Sequence, residues 1–130
     1  MNKYSFIILI FFLITCDKPE RIWTNPYDPD INKETWSPSN LNISHVIYDA
    51  NKVMINLSWT NNWHGYEGLK IDRKYENENW VTGYAVVDEN TTQYNDIITF
   101  LESSRYFTVS YRIYAYAGEN KSNEITGELT

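Results

Sequence analysis

Lys52-Val53-Met54-Ile55-Asn56-Leu57-Ser58-Trp59 reads as two interleaved lists. Val53, Ile55, Leu57 and Trp59 are large and apolar, and the residues between them are small, polar or adaptable. That period of two puts one list on each side of a half-buried strand. Working outward, Leu69 and Ile71 alternate with Lys70, Asp72 and Lys74. Val109, Tyr111, Ile113 and Ala115 alternate with Ser110, Arg112, Tyr114 and Tyr116. Asn61-Asn62 and Asp88-Glu89-Asn90 supply turn chemistry between such runs. No segment beyond the N-terminal apolar run shows a stripe at helical spacing. About seven short strands in about 90 residues, with turns every 8–12, is the pattern of a two-sheet sandwich. A stretch of that size buries one modest core.

The order of several elements resembles the fibronectin type III domains. They are Ser37-Pro38-x-x-Leu41, Leu57-Ser58-Trp59, Gly68-Leu69-Lys70-Ile71-Asp72-Arg73-Lys74, Thr91-Thr92-x-Tyr94-x-Asp96 and Tyr111-Arg112-Ile113-Tyr114-Ala115. The resemblance runs from Ser37 to about Glu128. It implies a seven-stranded, immunoglobulin-like β-sandwich over residues 39–130, with Trp59 packed in the core. One position departs from the family. The tyrosine usual six residues before the alanine matching Ala115 is replaced by Val109, with Tyr106 and Tyr111 nearby.

The N-terminus carries a different message. Lys3 precedes an unbroken apolar run from Phe6 to Ile14, which ends at Thr15-Cys16 and gives way at once to Asp17, Lys18, Glu20 and Arg21. These are the three parts of an export signal. The run is too short for a hydrocarbon core, which takes about 20 residues. Leu13-Ile14-Thr15-Cys16 resembles the lipobox of bacterial lipoproteins, with Thr15 where a smaller residue is usual. The resemblance implies a signal peptide over 1–15 and a mature chain that begins at lipidated Cys16. Two or three acyl chains, palmitate among them, would then hold the protein to a membrane; one chain alone anchors only marginally.

Cysteine usage and charge agree with that reading. Cys16 is the single cysteine of the 130 residues, so a disulfide framework is excluded. The net charge of −6 becomes −7 once Lys3 leaves with the signal. An acidic chain of this kind does not bind nucleic acid by neutralising phosphates. Attraction to anionic headgroups is excluded for the same reason, so attachment must come from the acyl chains.

Residues 16–38 read as the lipidated cysteine and a tether. The segment holds all four prolines, Pro19, Pro26, Pro29 and Pro38, and has no periodicity. Such composition favours extended, solvated chain. Asp28, Asp30 and Glu34 lack the dense acidic spacing of a calcium loop. No metal or other cofactor is expected.

Nothing in the chain spells out catalysis. A nucleophile-elbow serine, a phosphate-cradling glycine loop and a histidine pair at ligand spacing are all missing, and His45 and His64 lie 19 residues apart. Glu76 and Glu78 flank a turn, where adjacent carboxylates serve as solubilising charges. Aromatic content, by contrast, is high: 11 Tyr, 5 Trp and 5 Phe are more than a small core hides. With Ile113 and Ala115 inward, Tyr114 and Tyr116 point out beside Arg112. Trp80 and Tyr84, four residues apart, fall on one face of their strand. The loop after Trp59 offers Trp63, His64 and Tyr66. Exposed aromatics stack on sugars or anchor protein interfaces. They also serve simply to stabilise cross-strand neighbours and cover Lys and Arg stems. The loop holding Trp63 is expected at the end where the chain comes in from its anchor, a position that suits tryptophan at a membrane interface.

The expectation is therefore a non-catalytic, lipid-anchored module of the bacterial cell envelope, at the outer membrane or cell surface rather than the inner membrane. It would adhere to an envelope or surface protein through Trp80, Tyr84, Arg112, Tyr114, Tyr116, Trp63 and Tyr66. Two alternatives stand beside it: a carbohydrate-binding lipoprotein that presents a polysaccharide to a separate enzyme, and a structural spacer of an envelope complex.

Overall fold

The computed structural model describes residues 25–100 and 107–130. The expected signal peptide, Cys16 and Tyr106 lie outside the described residues. Strands β1 (Ser39–Asp49), β2 (Lys52–Thr60) and β5 (Gln93–Thr99) form one antiparallel sheet in the order β1-β2-β5. The second sheet contains β3 (Gly68–Tyr75), β4 (Val81–Asp88), β6 (Val109–Ala117), β7 (Asn120–Lys121) and β8 (Ile125–Leu129). Its order is β4-β3-β6-β7, with β8 also paired to β6. The expected seventh strand is thus broken into the two-residue β7 and β8. Among the described residues there is no helix.

The alternation seen in the sequence closes the sandwich. Val53, Ile55, Leu57 and Trp59 from β2 face Leu69 and Ile71 from β3 and Val109, Tyr111, Ile113 and Ala115 from β6, all buried. Trp59 is a core residue as expected, and its Nε1–H donates to Asn61 Oδ1 at 2.9 Å. Asn61 in turn donates to the carbonyls of Glu89 and Thr91, which ties the end of β2 to the β4–β5 turn.

The tether differs from expectation in its second half. Ile31 and Trp36 belong to the buried core, and Ser37 is buried beside them. Trp36 packs against Tyr66, ring centroids 6.3 Å apart, and Asn120 Nδ2 donates to the Pro26 carbonyl. Residues 25–38 are therefore a strap across one end of the sandwich, and the packed unit begins before Ser39. Two isolated apolar side chains amid prolines have no period, and their burial depends wholly on what the strap meets in space.

The strap defines two ends. Asn25, the 61–66 loop, the β4–β5 turn and the close of β6 cluster at one. The β1–β2 hairpin, the start of β4 and Thr130 lie at the other.

Candidate functional site

The outer face of the five-stranded sheet is built from the polar halves of β3 and β6. Register places Lys70 opposite Tyr114, Asp72 opposite Arg112 and Lys74 opposite Ser110. Gly68 lies opposite Tyr116, and a Cβ there would meet the Val87 carbonyl at 2.5 Å and the Tyr116 ring at 3.3 Å. Glycine thus leaves room for the tyrosine to lie across β3, and Lys70 Nζ sits 4.7 Å from its ring centroid.

A cation covers each aromatic ring of this face. Lys121 Nζ is 4.1 Å from the centre of Tyr114, and Arg112 Cζ is 4.5 Å from that of Trp80. Lys74 Nζ approaches Trp80 to 5.2 Å. Contacts of this type contribute about 0.5–1 kcal/mol each where exposed. Beneath Arg112 lies Asp72, with no solvent exposure: its Oδ2 accepts from Arg112 Nε at 2.6 Å and its Oδ1 from the Gly83 amide at 2.7 Å. Glu124 faces Lys121 at 3.1 Å and Arg112 at 3.8 Å. Lys70 and Lys74 have no ion-pair partner among the described residues. Asp88 and Glu128 stand at the margins of the face. Tyr114 points outward as expected, yet lies buried beneath its covering side chains. Burial, then the neighbouring Asp72 charge, pushes its phenol above the ordinary range.

Tyr84 does not join Trp80. Ile71 pairs with Ala85 and Arg73 with Val81, so three residues of β4 oppose Asp72 alone, and Gly83 sits at φ +65° in this bulge. The bulge breaks the phase on which four-residue spacing relies. The Tyr84 hydroxyl instead donates to Asp96 Oδ1 at 2.7 Å, across the gap between the sheets. Asp96 Oδ2 accepts from Arg73 Nη1 at 2.9 Å and from the Tyr111 hydroxyl at 2.6 Å. The Arg73 guanidinium stacks on the Tyr84 ring at 3.9 Å. Three donors thus satisfy one buried carboxylate, which joins β5 to β3, β4 and β6. Burial, followed by the Asp96 hydrogen bond, pushes the Tyr84 phenol up to about 12. The same causes push Tyr111 higher still. Burial pulls Arg73 down, but the bond and charge of Asp96 outweigh it and leave Arg73 raised.

Trp63 and Tyr66 lie at the strap end, far from Trp80. Trp63 is half-buried against the core, beside Asn25, Pro26 and His64. Tyr66 is buried, its hydroxyl donates to the Glu89 carbonyl at 3.3 Å, and burial with the Glu89 charge pushes it up to about 12.

The structure therefore gathers Trp80, Arg112, Tyr114 and Tyr116 on one face and assigns Tyr84 and Tyr66 to packing. It adds Lys70, Lys74 and Lys121, which sequence reasoning left out. For Lys70 and Lys74 the signal was present, since they share the outward phase of β3. No group of three His, Cys, Asp or Glu side chains is placed to hold a metal among the described residues.

No family model matches the chain, and no curated protein matches it. Among solved structures, it is similar to a computer-based redesign of a β-sandwich protein. The match has 19% identity and a TM-score of 0.54, and covers 72% of this chain and 87% of that one. The likeness concerns the fold, a β-sandwich.

Proposed function

We propose that this β-sandwich is a non-catalytic binding module of the fibronectin type III kind, lipid-anchored to a cell envelope through Cys16. It would present the outer face of its five-stranded sheet to an envelope or surface protein. The observation that carries the reading is the set of cation-covered aromatics, Trp80, Tyr114 and Tyr116, on one continuous face. Interfaces draw their strongest contacts from Trp, Tyr and Arg set among near-neutral neighbours. Lys70 and Lys74, free of ion pairs among the described residues, favour a partner patch of acidic character in an otherwise acidic chain.

The strand order and the buried Trp59 support the type III reading. The Leu13-x-x-Cys16 motif supports the anchor. Trp80 stands at the end of the sandwich away from the strap, where an anchored domain would offer it to a neighbour.

The test is affinity capture from solubilised envelope by the full protein and by a Trp80→Ala/Tyr116→Ala variant. Recovery of a partner should fall at least about tenfold with little change in melting temperature. Equal recovery by the variant would sink the proposal. Capture competed by free sugar would replace the protein partner with a polysaccharide.

A further inference from the structure

The other outer face, that of the three-stranded sheet, has a composition found nowhere else on the molecule. Register aligns its outward side chains in rows that cross all three strands: Asn42–Ser58–Gln93, Ser44–Asn56–Asn95 and Val46–Met54–Ile97. None of these nine residues is charged. The first charges come at the β1–β2 hairpin, where Asp49 opposes Lys52 and the two cancel. In a chain of net charge −6 this face carries no net charge. Val46 and Ile97 are each about half exposed, 52% and 50%, and Met54 lies between them. The six polar side chains form no hydrogen bonds with other described residues.

We propose that this face is a self-association surface, occupied by a second copy of the chain held on the same membrane. A two-fold interface sets each group against itself or its symmetry neighbour. Lysine against lysine, or glutamate against glutamate, repels. Asn, Gln and Ser each carry both a donor and an acceptor, so a copy of the same row satisfies them. The apolar row packs against its own image in the same way. Across these three rows two copies of an acidic chain can meet without desolvating an ionised side chain. The outward side chains of the five-stranded sheet are mostly charged or already engaged with one another, so a two-fold contact there would have to desolvate them.

Anchor geometry agrees. Sheets pack face to face with their strands nearly aligned. A two-fold axis along the strands leaves both Asn25 ends on the same side, as two proteins on one membrane need. Size predicts the strength. Three strands about 4.8 Å apart and some 20–25 Å long offer on the order of 300–400 Å² per copy. That is about half of the roughly 800 Å² per partner in a stable complex. Self-association is then weak in dilute solution and depends on crowding of copies at a surface.

The membrane part of the proposal rests on the anchor reading above, and the experiment separates the two. The photo-reactive residue p-benzoylphenylalanine replaces Met54 in the full chain, or Thr126 on the opposite sheet as control. Native membranes are irradiated and adducts are weighed. The expected result is a covalent dimer from position 54, at least about tenfold above position 126, and lost when Ile97→Lys is added. Equal yields from the two positions overturn the proposal. So does an adduct of position 54 with a different protein, or a dimer that survives Ile97→Lys. If the chain washes off the membrane, the anchor reading fails by itself. The face is then judged by the same cross-link at millimolar concentration, where absence of the dimer overturns it.

Discussion

On the five-stranded sheet, the outward positions of β3 and β6 are, besides Gly68 and Ser110, lysine, arginine, aspartate and tyrosine, each engaged with a neighbour of different kind. On the three-stranded sheet, the outward positions are amides, hydroxyls and one apolar row, and their hydrogen-bonding capacity faces water. Both faces rest on the same backbone alternation over the same core. The difference teaches that alternation assigns a side chain to a face, while the chemistry of the face decides which surface can approach it. An amide face can complement a copy of itself without desolvating a charge, whereas a cation-and-aromatic face has charges to desolvate first. On the two proposals, one molecule would offer one side to a foreign partner and the other to its own kind.

The comparison breaks most severely where both faces share support. Asp96→Ala leaves Arg73, Tyr84 and Tyr111 without their common acceptor. Removing one partner of a buried pair costs about 3–5 kcal/mol. The partial exposure of Arg73, 17%, places this change at the lower end, about 3 kcal/mol. Denaturant titration measures it, and both face functions should weaken together. Asp72→Ala should injure one side only. Stability is expected to fall by about 2–3 kcal/mol as Arg112 and the Gly83 amide lose their acceptor. Partner capture should drop with it, while cross-linking through position 54 persists.

Charge reversal sharpens the contrast without touching the core. Lys70→Glu/Lys74→Glu should lower partner capture about tenfold at low salt and cost about 1–2 kcal/mol of stability, the two ring contacts those lysines make. Retained capture would show that the cations merely cover the rings. The smallest effect is the alkaline limb of stability. Phenols raised in the folded state hold their protons beyond the ordinary range near 10, so stability is full below that value. It is lost as pH rises toward the folded values of Tyr84 and Tyr66, about 12. Tyr84→Phe should flatten that decline in a pH series of melting curves. An unchanged slope would assign it to the other raised phenols, Tyr66, Tyr111 and Tyr114 among them.

The strands and their inward faces were legible because period two spans whole segments: β2, β3 and β6 each declare their buried half. Trp59 was legible for the same reason. Three features were not. The bulge at Gly83 inserts residues opposite Asp72, and an inserted residue cannot be seen without the partner strand. Ile31 and Trp36 lie in proline-rich polar sequence, where composition argues for solvent and only the end of the sandwich argues for burial. The Asp96 cluster joins residues from four strands, and no spacing along the chain predicts such a meeting. Of the candidate face, Arg112, Tyr114 and Tyr116 followed from the phase of β6, whereas Tyr84 was misplaced by trusting a phase that the bulge resets.

The strap also sets a height. Packed chain begins by Asn25, nine residues from Cys16, a leash of at most about 30 Å. β3, with 8 residues, spans about 27 Å from the strap end to the end where Trp80 stands. With Cys16 acylated, the tryptophan could sweep a shell no more than about 60 Å from the bilayer. A partner would then be selected by the altitude of its docking patch as well as by its chemistry. Lengthening the leash would relax that geometric filter without altering a single contact.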